Sequence, residues 1–245
     1  MVQKDGRGDR MTLKDLPVGS IITDKKTRFS GKPIEWLVAD HTKYADGTAL
    51  LSKDILCCRP FDEPKEYYVD EYRKKYGSNR WSTSDLRKWL NNKFFGKAFS
   101  SRLADIVIPV SNATVLSRQD REFCEVDRTK DKVFLLSDIE IDGKVYDETL
   151  ELFKGENKEK YRIAEVCPEL TWYWWLRSPY AGYSNFARIV YTDGSLNSGS
   201  ACGGYNGVRP ACVVSSSAPV KKRKSGGYKF DWDKISHLSQ QKDRT

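Results

Sequence analysis

Cysteine and histidine are the residue types in this chain that most readily support catalysis or metal binding, and their spacing favours neither. Without a Cys-x-x-Cys pair or a secretory signal, free thiols are expected. The six cysteines are Cys57, Cys58, Cys124, Cys167, Cys202 and Cys212. Only two histidines occur, His41 and His237, which argues against a histidine-based zinc site and against a Ser-His-Asp triad. The sequence therefore predicts no catalytic residue, no metal site and no cofactor.

Residues 180–207 have a composition that suits non-covalent recognition. These 28 residues contain no Lys, Glu, Gln, Met or Trp, although the five types make up 51 of the 245 residues and about six would be expected in this length. The stretch is built instead from Gly, Ser, Asn, Tyr, Ala and Cys. Turn-rich hairpins use Gly, Ser and Asn for backbone reasons, whereas antibody-like binding surfaces combine them with tyrosine. Composition alone leaves both interpretations open.

The net charge of +8 lies at the two ends of the chain. Residues 1–28 carry +3 and residues 213–245 carry +5, so the body between them is neutral. A basic nucleic-acid-binding face on the folded body is therefore not expected. The basic run at 221–224 resembles a nuclear-import or nucleic-acid patch, but a solubilising or tethering tail is the simpler interpretation.

No stretch approaches the roughly 18 consecutive apolar residues of a transmembrane helix. The N-terminal residues also lack the apolar core of a signal peptide. The chain is therefore expected to be cytoplasmic when synthesised, with no membrane span.

The elements that would position residues 180–207 are short strands and two helices. A capping-box-like Ser82 and Asp85, followed by Leu86, Leu90 and Phe94 at helical spacing, predict one helix near 84–95. A second helix is expected at 99–107, before Pro109. Alternating apolar residues and turn signals, such as Asp-Gly at 46–47 and 193–194, predict strands that pair mainly as antiparallel hairpins. Their approximate ranges are 20–23, 34–39, 48–52, 133–137, 172–176, 186–192, 195–201 and 208–214.

Two motifs, WWLRSP at 174–179 and GVRPA at 207–211, bracket the stretch, and Val190 and Gly194 lie between them. This pattern resembles a family of bacterial and phage domains, some of which are variable proteins of diversity-generating retroelements. Weaker matches lie earlier, at 32–36, 81–91 and 131–137. The resemblance implies an α+β fold of the C-type lectin type, in the branch of formylglycine-generating enzymes, with a twisted antiparallel sheet and two main helices. It covers residues 12–214, so 1–11 is expected to be a disordered N-terminus and 215–245 a linker and basic tail.

In such retroelements a reverse transcriptase randomises template adenines, so that AAC and AAT codons become any NNC or NNT codon. These codons never encode Lys, Glu, Gln, Met or Trp, the five types missing from 180–207. The resemblance therefore implies a non-catalytic protein that displays a hypervariable surface to a protein or a cell-surface partner.

The ligand-facing residues are predicted from compatibility with these codons and from strand alternation. The pattern keeps Val190, so we expect Val190 to face inward and Ile189 and Tyr191 to face outward. The full predicted set is Tyr183, Asn185, Phe186, Ile189, Tyr191, Asn197, Ser198, Ser200, Cys202, Tyr205 and Asn206. Arg177 and Arg209, which flank the stretch, are interpreted as structural ties.

Two alternatives stay open. Cys202 and Cys212 would be the thiol pair of a formylglycine-generating oxidase, although their neighbours are small and neutral and would not activate a thiol. An ordinary lectin-like carbohydrate-binding module is the other, although the stretch has a single Asp and lacks the carboxylates that a calcium site needs. The identity of the ligand and the oligomeric state cannot be read from the sequence. A place on a virion or a cell surface is compatible with the resemblance.

Overall fold

The computed structural model describes residues 11–121, 125–142, 148–156 and 158–234. The strands are Ile21–Phe29 (β1), Lys32–Tyr44 (β2), Gly47–Ser52 (β3), Cys57–Cys58 (β4), Val110–Val115 (β5), Val126–Asp131 (β6), Val133–Phe134 (β7), Glu165–Cys167 (β8), Leu170–Thr171 (β9), Trp174–Pro179 (β10), Phe186–Val190 (β11), Leu196–Ser200 (β12), Gly207–Val208 (β13), Ala211–Ser215 (β14), Val220–Lys222 (β15) and Tyr228–Phe230 (β16). The α-helices are Glu71–Tyr76 (α1), Asp85–Trp89 (α2), Phe95–Ala98 (α3), Ser101–Ala104 (α4), Asp138–Asp142 (α5) and Lys158–Arg162 (α6). The π-helical turn Leu90–Phe94 joins α2 to α3, and 3-10 turns lie at Leu13–Asp15, Trp81–Thr83, Arg118–Asp120 and Glu151–Phe153.

The largest sheet has seven strands in the order β15-β16-β1-β2-β3-β14-β7. Its centre is the β1–β2–β3 meander, and the Asp46-Gly47 turn between β2 and β3 forms as predicted, with Asp46 at φ 54°. β3 is buried along its whole length because β2 and β14 pair on either side of it. β14 follows β13 of the second sheet after two residues and so connects the two sheets.

A second sheet, in the order β12-β11-β10-β13-β4, carries the 180–207 stretch. Its central strand β10 buries Trp174, Trp175 and Leu176 completely. The Trp175 and Phe61 rings lie 5.6 Å apart, and Phe61 continues to Trp81 at 5.9 Å. Because large aromatic side chains bury the most apolar area, this row of rings fixes the sheet against the helical part of the chain.

The first predicted helix is present, and it runs continuously through α2, the π-helical turn and α3. Its N-cap is Ser84, whose side chain accepts a hydrogen bond from the Arg87 backbone N–H, rather than the predicted Ser82. Leu86, Leu90 and Phe94 are buried, as their spacing predicts.

The predicted fold class, an α+β lectin-type fold with two main helices, is wrong. The structure is mostly β, with 38% strand and 22% helix. Among the described residues, only the continuous helix at 85–98 has seven or more residues. The expected second helix at 99–107 is reduced to the single turn α4. The chain leaves it because Ile108 donates its backbone N–H to the Val213 carbonyl and so joins the edge of a sheet. Pairing with an existing strand therefore overrides the local helical pattern.

The C-terminal boundary also differs from the prediction. Residues 215–230 do not form a linker and tail, because β15 pairs with β16 and β16 pairs in parallel with β1. Met11, at the end of the expected disordered N-terminus, accepts a hydrogen bond from the Val220 backbone. Residues 1–10 and 235–245 lie outside the described residues. Over the part of the chain that the structure describes, no helix is long and apolar enough to cross a membrane.

Candidate ligand-binding surface

The 180–207 stretch is held at both ends by buried anchors. The indole nitrogens of Trp174 and Trp175 donate to the carbonyls of Arg162 and Arg59, each at 2.8 Å. Arg209 donates to the carbonyls of Ser52, Lys53 and Tyr161, and its guanidinium lies 4.9 Å from the centre of the Trp174 ring. All of these anchors lie outside the stretch, so replacing exposed side chains within it leaves them in place.

Arg177 is the second charged anchor, and it pairs with Glu140 on α5. Both side chains are buried, and the guanidinium donates to both oxygens of the carboxylate, at 2.5 and 3.0 Å. Burial alone would raise the pKa of Glu140, but Arg177 and Lys43 together hold that pKa below its usual value. The same pairing raises the pKa of Arg177 against the opposing effect of burial. Arg177 and Arg209 therefore have the structural role that the sequence suggested.

The hairpin between β11 and β12 turns at Asp193-Gly194, as predicted. Gly194 has φ 83°, a left-handed conformation that favours glycine. Asp193 accepts hydrogen bonds from the side chain and the backbone N–H of Ser195, and these bonds lower its pKa. The turn is thus stabilised from within and projects β11 and β12 as an antiparallel pair.

The register of this pair decides which predicted residues share a face. Phe186 lies opposite Ser200 and Arg188 opposite Ser198, so these four side chains lie on one face of the hairpin. Ile189 lies opposite Asn197 on the other face, next to Trp175 on β10. The predicted set is therefore divided between the two faces of the sheet rather than gathered on one.

Ile189 is the main error in the predicted set, because its side chain is only 4% exposed. Val190 is also buried, so neighbouring residues that point to opposite faces are both covered. The Ile189 face packs with Trp175 against Phe61, and the Val190 face lies with Trp174 against the end of α6. Strand alternation predicts that one face of the hairpin is buried and the other is exposed to solvent. At the centre of this hairpin, both faces are buried.

Asn185 and Asn206 are also buried, contrary to the prediction that they face a ligand. The Asn206 amide nitrogen would lie 3.0 Å from a Cβ at position 199, which explains the glycine there. The side-chain oxygens of both asparagines and the Asn206 amide nitrogen have no hydrogen-bond partner among the described residues. The side chains of these two residues are therefore buried within the loops of the stretch and do not line its surface.

One group of aromatic residues at the surface forms what we call the Tyr191 row, made of the half-buried Trp172 and Tyr173 and the exposed Tyr191, with the exposed Tyr205 at its end. The Trp172 and Tyr173 rings lie 4.6 Å apart, and the Tyr173 and Tyr191 rings 5.5 Å apart. The Trp172 indole N–H donates to the Tyr205 carbonyl at 2.8 Å. Tyr191 is 36% and Tyr205 59% exposed. Asn197 is exposed on the same face of the hairpin.

A second group, the Tyr183 row, consists of Tyr180, Tyr183 and Phe186. Tyr180 and Tyr183 stack at 5.9 Å, and Phe186 lies 5.6 Å from Tyr183. Tyr183 is 54% exposed, and Phe186 is half-buried beside Ser198 and Ser200. The row therefore presents aromatic edges next to small hydroxyl groups.

The segment before α2 forms a flank to the stretch that sequence reasoning did not assign to the site. Arg73 on α1 donates to the Ser184 carbonyl, the Ser184 hydroxyl donates to Asp70, and the Cys202 backbone N–H donates to the Tyr76 carbonyl. The same segment exposes three large apolar side chains, Tyr67, Val69 and Tyr72. The density of tyrosines at 67–76 is the signal that could have identified it.

Cys202 and Cys212, the thiol pair of the oxidase alternative, are arranged unfavourably for thiol chemistry. Cys202 is half-buried, and its sulfur lies 3.5 Å from the Ser200 hydroxyl. Cys212 is buried in β14 of the other sheet, and burial raises its pKa well above the usual thiol range. Since the thiolate is the reactive form, this environment disfavours an oxidase built on Cys212. The described residues contain no cluster of three or more His, Cys, Asp or Glu side chains that could hold a metal ion.

The sequence profile of one protein family, described as "Domain of unknown function (DUF6273)", matches residues 46–216. The chain therefore belongs to this family. The matched region includes α2, both anchoring motifs and the whole 180–207 stretch, but not β1, β2, β15 or β16. Neither a curated protein nor a solved structure matches the chain.

Proposed function

We propose that this protein is a non-catalytic binding protein, and that residues 180–207 form its diversified ligand-binding surface, as in the variable proteins of diversity-generating retroelements. The observation that carries the proposal is the coincidence of two features in one stretch. The five residue types that randomised NNC and NNT codons cannot encode are missing from it, and three of its four tyrosines, Tyr183, Tyr191 and Tyr205, are exposed.

The aromatic rows supply anchors of the kind that dominate protein interfaces. Tyr183, Tyr191 and Tyr205 combine apolar area with a hydroxyl group and have few rotatable bonds, so they lose little entropy when they bind. Ser198, Ser200 and Asn197 lie beside them and offer adaptable hydrogen bonds. Singly exposed apolar residues are ordinary on a protein surface, but grouped ones favour a binding site.

The position of the anchoring residues outside 180–207 supports the same proposal. Trp174, Trp175 and Arg209 hold the stretch from outside it, so substitutions at exposed positions would leave these contacts intact. Within the stretch the buried positions, such as Ala187 and Ile189, would have to stay apolar or small. The revised ligand-facing residues therefore form two groups on opposite faces of the hairpin. One consists of Tyr183, Phe186, Ser198 and Ser200, with Cys202 beside Ser200, and the other of Tyr191, Asn197 and Tyr205.

The charge of the surface favours a protein or a cell-surface partner over a nucleic acid. Arg188 and Asp193 are the only charged residues in 180–207. The basic run that could attract phosphates is partly neutralised, since Lys221 pairs with Asp231 and Arg223 lies 3.6 Å from Glu35. The affinity for a partner that is bound by tyrosines and small polar groups depends little on long-range electrostatic attraction.

The proposal can be tested with two displayed libraries of the full chain. One randomises Tyr183, Tyr191, Asn197, Ser198 and Tyr205 with NNC and NNT codons, and the control randomises five exposed positions on α4 and β5–β6. Both libraries are selected against the same folded test protein after sorting for expression. We expect binders from the first library at a frequency well above the control. Equal yields, or loss of folding in most members of the first library, would contradict the proposal.

A further inference from the structure

The strand β12 is an edge of the second sheet, and among the described strands β11 alone pairs with it. At one end of this pair the Tyr191 backbone N–H donates to the Ser195 carbonyl, and at the other the Ala201 N–H donates to the Asn185 carbonyl. Hydrogen-bonded and non-hydrogen-bonded pairs alternate along an antiparallel ladder. The odd-numbered residues of β12 therefore direct their backbone groups to β11, and the even-numbered residues direct theirs outward.

Most of the outward backbone groups of β12 are unpaired. Leu196, Ser198 and Ser200 each present one N–H and one carbonyl at this edge, and all three residues are half-buried. The Ser198 N–H donates to Oδ1 of Asn197, and the Ser200 carbonyl accepts from the Gly203 N–H, each at 2.8 Å. The other four groups form no hydrogen bond with the residues that the structure describes. Such a row of free donors and acceptors is a template for a further strand.

β12 differs from the other edges of the two larger sheets, as the structure describes them, because it lacks the usual protection against pairing. Proteins commonly protect edge strands by making them very short or by placing lysines on them. β4 and β7 have two residues each, and β15 carries Lys221 and Lys222. β12 has five residues, Leu-Asn-Ser-Gly-Ser, with neither a charge nor a proline. Its length and composition therefore favour pairing with another strand.

The β12 edge also lies between the two ligand-facing groups, which occupy opposite faces of the hairpin. Side chains of a strand alternate between the faces of its sheet. A strand added beside β12 therefore places side chains next to Ser198 and Ser200 on one face and next to Asn197 on the other. Phe186, opposite Ser200 on β11, extends the first of these contacts. A ligand that lies flat on one face of the hairpin reaches one group, whereas an added strand contacts members of both.

We propose that the partner presents an extended peptide segment, which pairs with β12 as an additional strand of the second sheet. This inference rests on the proposed function, because it specifies how residues 180–207 contact their partner. Backbone hydrogen bonds to Leu196, Ser198 and Ser200 supply affinity that does not depend on the diversified side chains. The side chains on the two faces of the hairpin then select among segments. A carbonyl of the partner replaces Oδ1 of Asn197 at the Ser198 N–H.

The probes are phage-displayed random linear peptides of about ten residues, which exceed the span of β12, selected against the full chain. A selected peptide is synthesised with one N-methyl group at each position in turn, and its affinity for the wild-type protein is measured by calorimetry. Alternate N–H groups of a paired strand point to its neighbour. We therefore expect N-methylation to weaken binding about tenfold at every second position and little at the positions between them. The proposal is overturned if the profile does not alternate or if no linear peptide is selected.

Ser198→Pro tests the edge from the side of the protein. It removes an outward N–H and places the proline ring on the edge, while the hydrogen bonds between β12 and β11 remain. Peptide affinity should fall about tenfold or more, whereas the matched variant Ser198→Ala should bind within about threefold of the wild type. Equal affinities of the two variants overturn the proposal. If Ser198→Pro does not fold, as judged by its thermal unfolding, the N-methyl profile on the wild-type protein decides.

Two comparisons distinguish this inference from its alternatives. If the wild-type chain forms a dimer in sedimentation that Ser198→Pro dissociates, the edge belongs to a second copy and the proposal is overturned. If the library with NNC and NNT codons yields binders but the N-methyl profile does not alternate, this inference fails and the proposed function stands. If the profile alternates but that library gives no excess of binders, the β12 edge binds a strand and the proposed diversification fails.

Discussion

Replacing Ile189 by Ser distinguishes a core position from a surface position within the candidate binding stretch. The Ile189 side chain is 4% exposed and lies between Trp175 on β10 and Asn197 on β12. Truncating a buried Ile to Ala costs about 2–5 kcal/mol through lost burial and the remaining cavity. The serine hydroxyl would add the cost of an unpaired buried polar group, about 1–3 kcal/mol. Relaxation around the site makes the two terms less than additive, so we expect a total loss of about 3–5 kcal/mol.

The comparison is made in the same stretch with Tyr205→Ser. Tyr205 is 59% exposed, so its substitution should change stability by no more than about 0.5 kcal/mol. Ile189→Val, which removes a single methylene group, should fall between them at about 0.5–1.5 kcal/mol. Urea denaturation followed by tryptophan fluorescence measures all three. If Ile189→Ser and Tyr205→Ser cost the same, then either Ile189 is a surface residue or the tyrosine is part of the core, and the division of the stretch into anchors and surface fails.

Four further outcomes follow from other contacts and surfaces of the structure. Glu140→Gln should destabilise the protein by about 3–5 kcal/mol at neutral pH, because it leaves Arg177 buried without its partner; equal denaturation midpoints for variant and wild type would refute this. The folded-state pKa of Glu140 is depressed, so its ionised form stabilises the folded protein. This stabilisation is complete above the unfolded pKa of about 4.3 and is lost as the pH falls through the folded pKa. The stability of Glu140→Gln should therefore fall less in acid than that of the wild type, and identical acid denaturation profiles would contradict this. Once a partner is known, cutting Tyr191 or Tyr183 to Ala should each cost about 2 kcal/mol of binding energy, and affinity should depend weakly on salt, whereas a steep salt slope would indicate phosphate contacts. A chain ending after Lys234 should bind as the full chain does, and loss of binding on this truncation would place the binding element in residues 235–245.

The elements nearest the anchoring motifs could be predicted from the sequence, because their hydrophobic pattern and turn chemistry are strong. Trp174 and Trp175 are in the core, the Asp193-Gly194 turn joins two antiparallel strands, and the helical spacing of Leu86, Leu90 and Phe94 marks a buried face. These features depend on neighbouring residues in the sequence, which is the information that a sequence pattern carries.

The errors arise where distant parts of the chain decide the outcome. The second helix stops at Ala104 because Ile108 pairs with Val213, more than a hundred residues away. Residues 220–230 look like a charged tail but form the β15–β16 pair, and β16 pairs with β1, at the other end of the chain. Ile189 is buried because both faces of its hairpin are covered, which strand alternation does not reveal. In each case contacts with distant parts of the chain, which a local sequence pattern does not show, determine the structure.

The measurement that tests the central claim most directly is the sequence of the DNA around this gene. The proposed function predicts a near-copy of the codons for 180–207 beside a reverse-transcriptase gene, with differences only where the copy has adenine. Those differences should concentrate in the codons of exposed residues such as Tyr183, Tyr191 and Tyr205 and spare those of Ala187, Gly199 and the flanking tryptophans. A neighbourhood without such a copy, or a copy whose differences fall equally on buried positions and on bases other than adenine, would contradict the account.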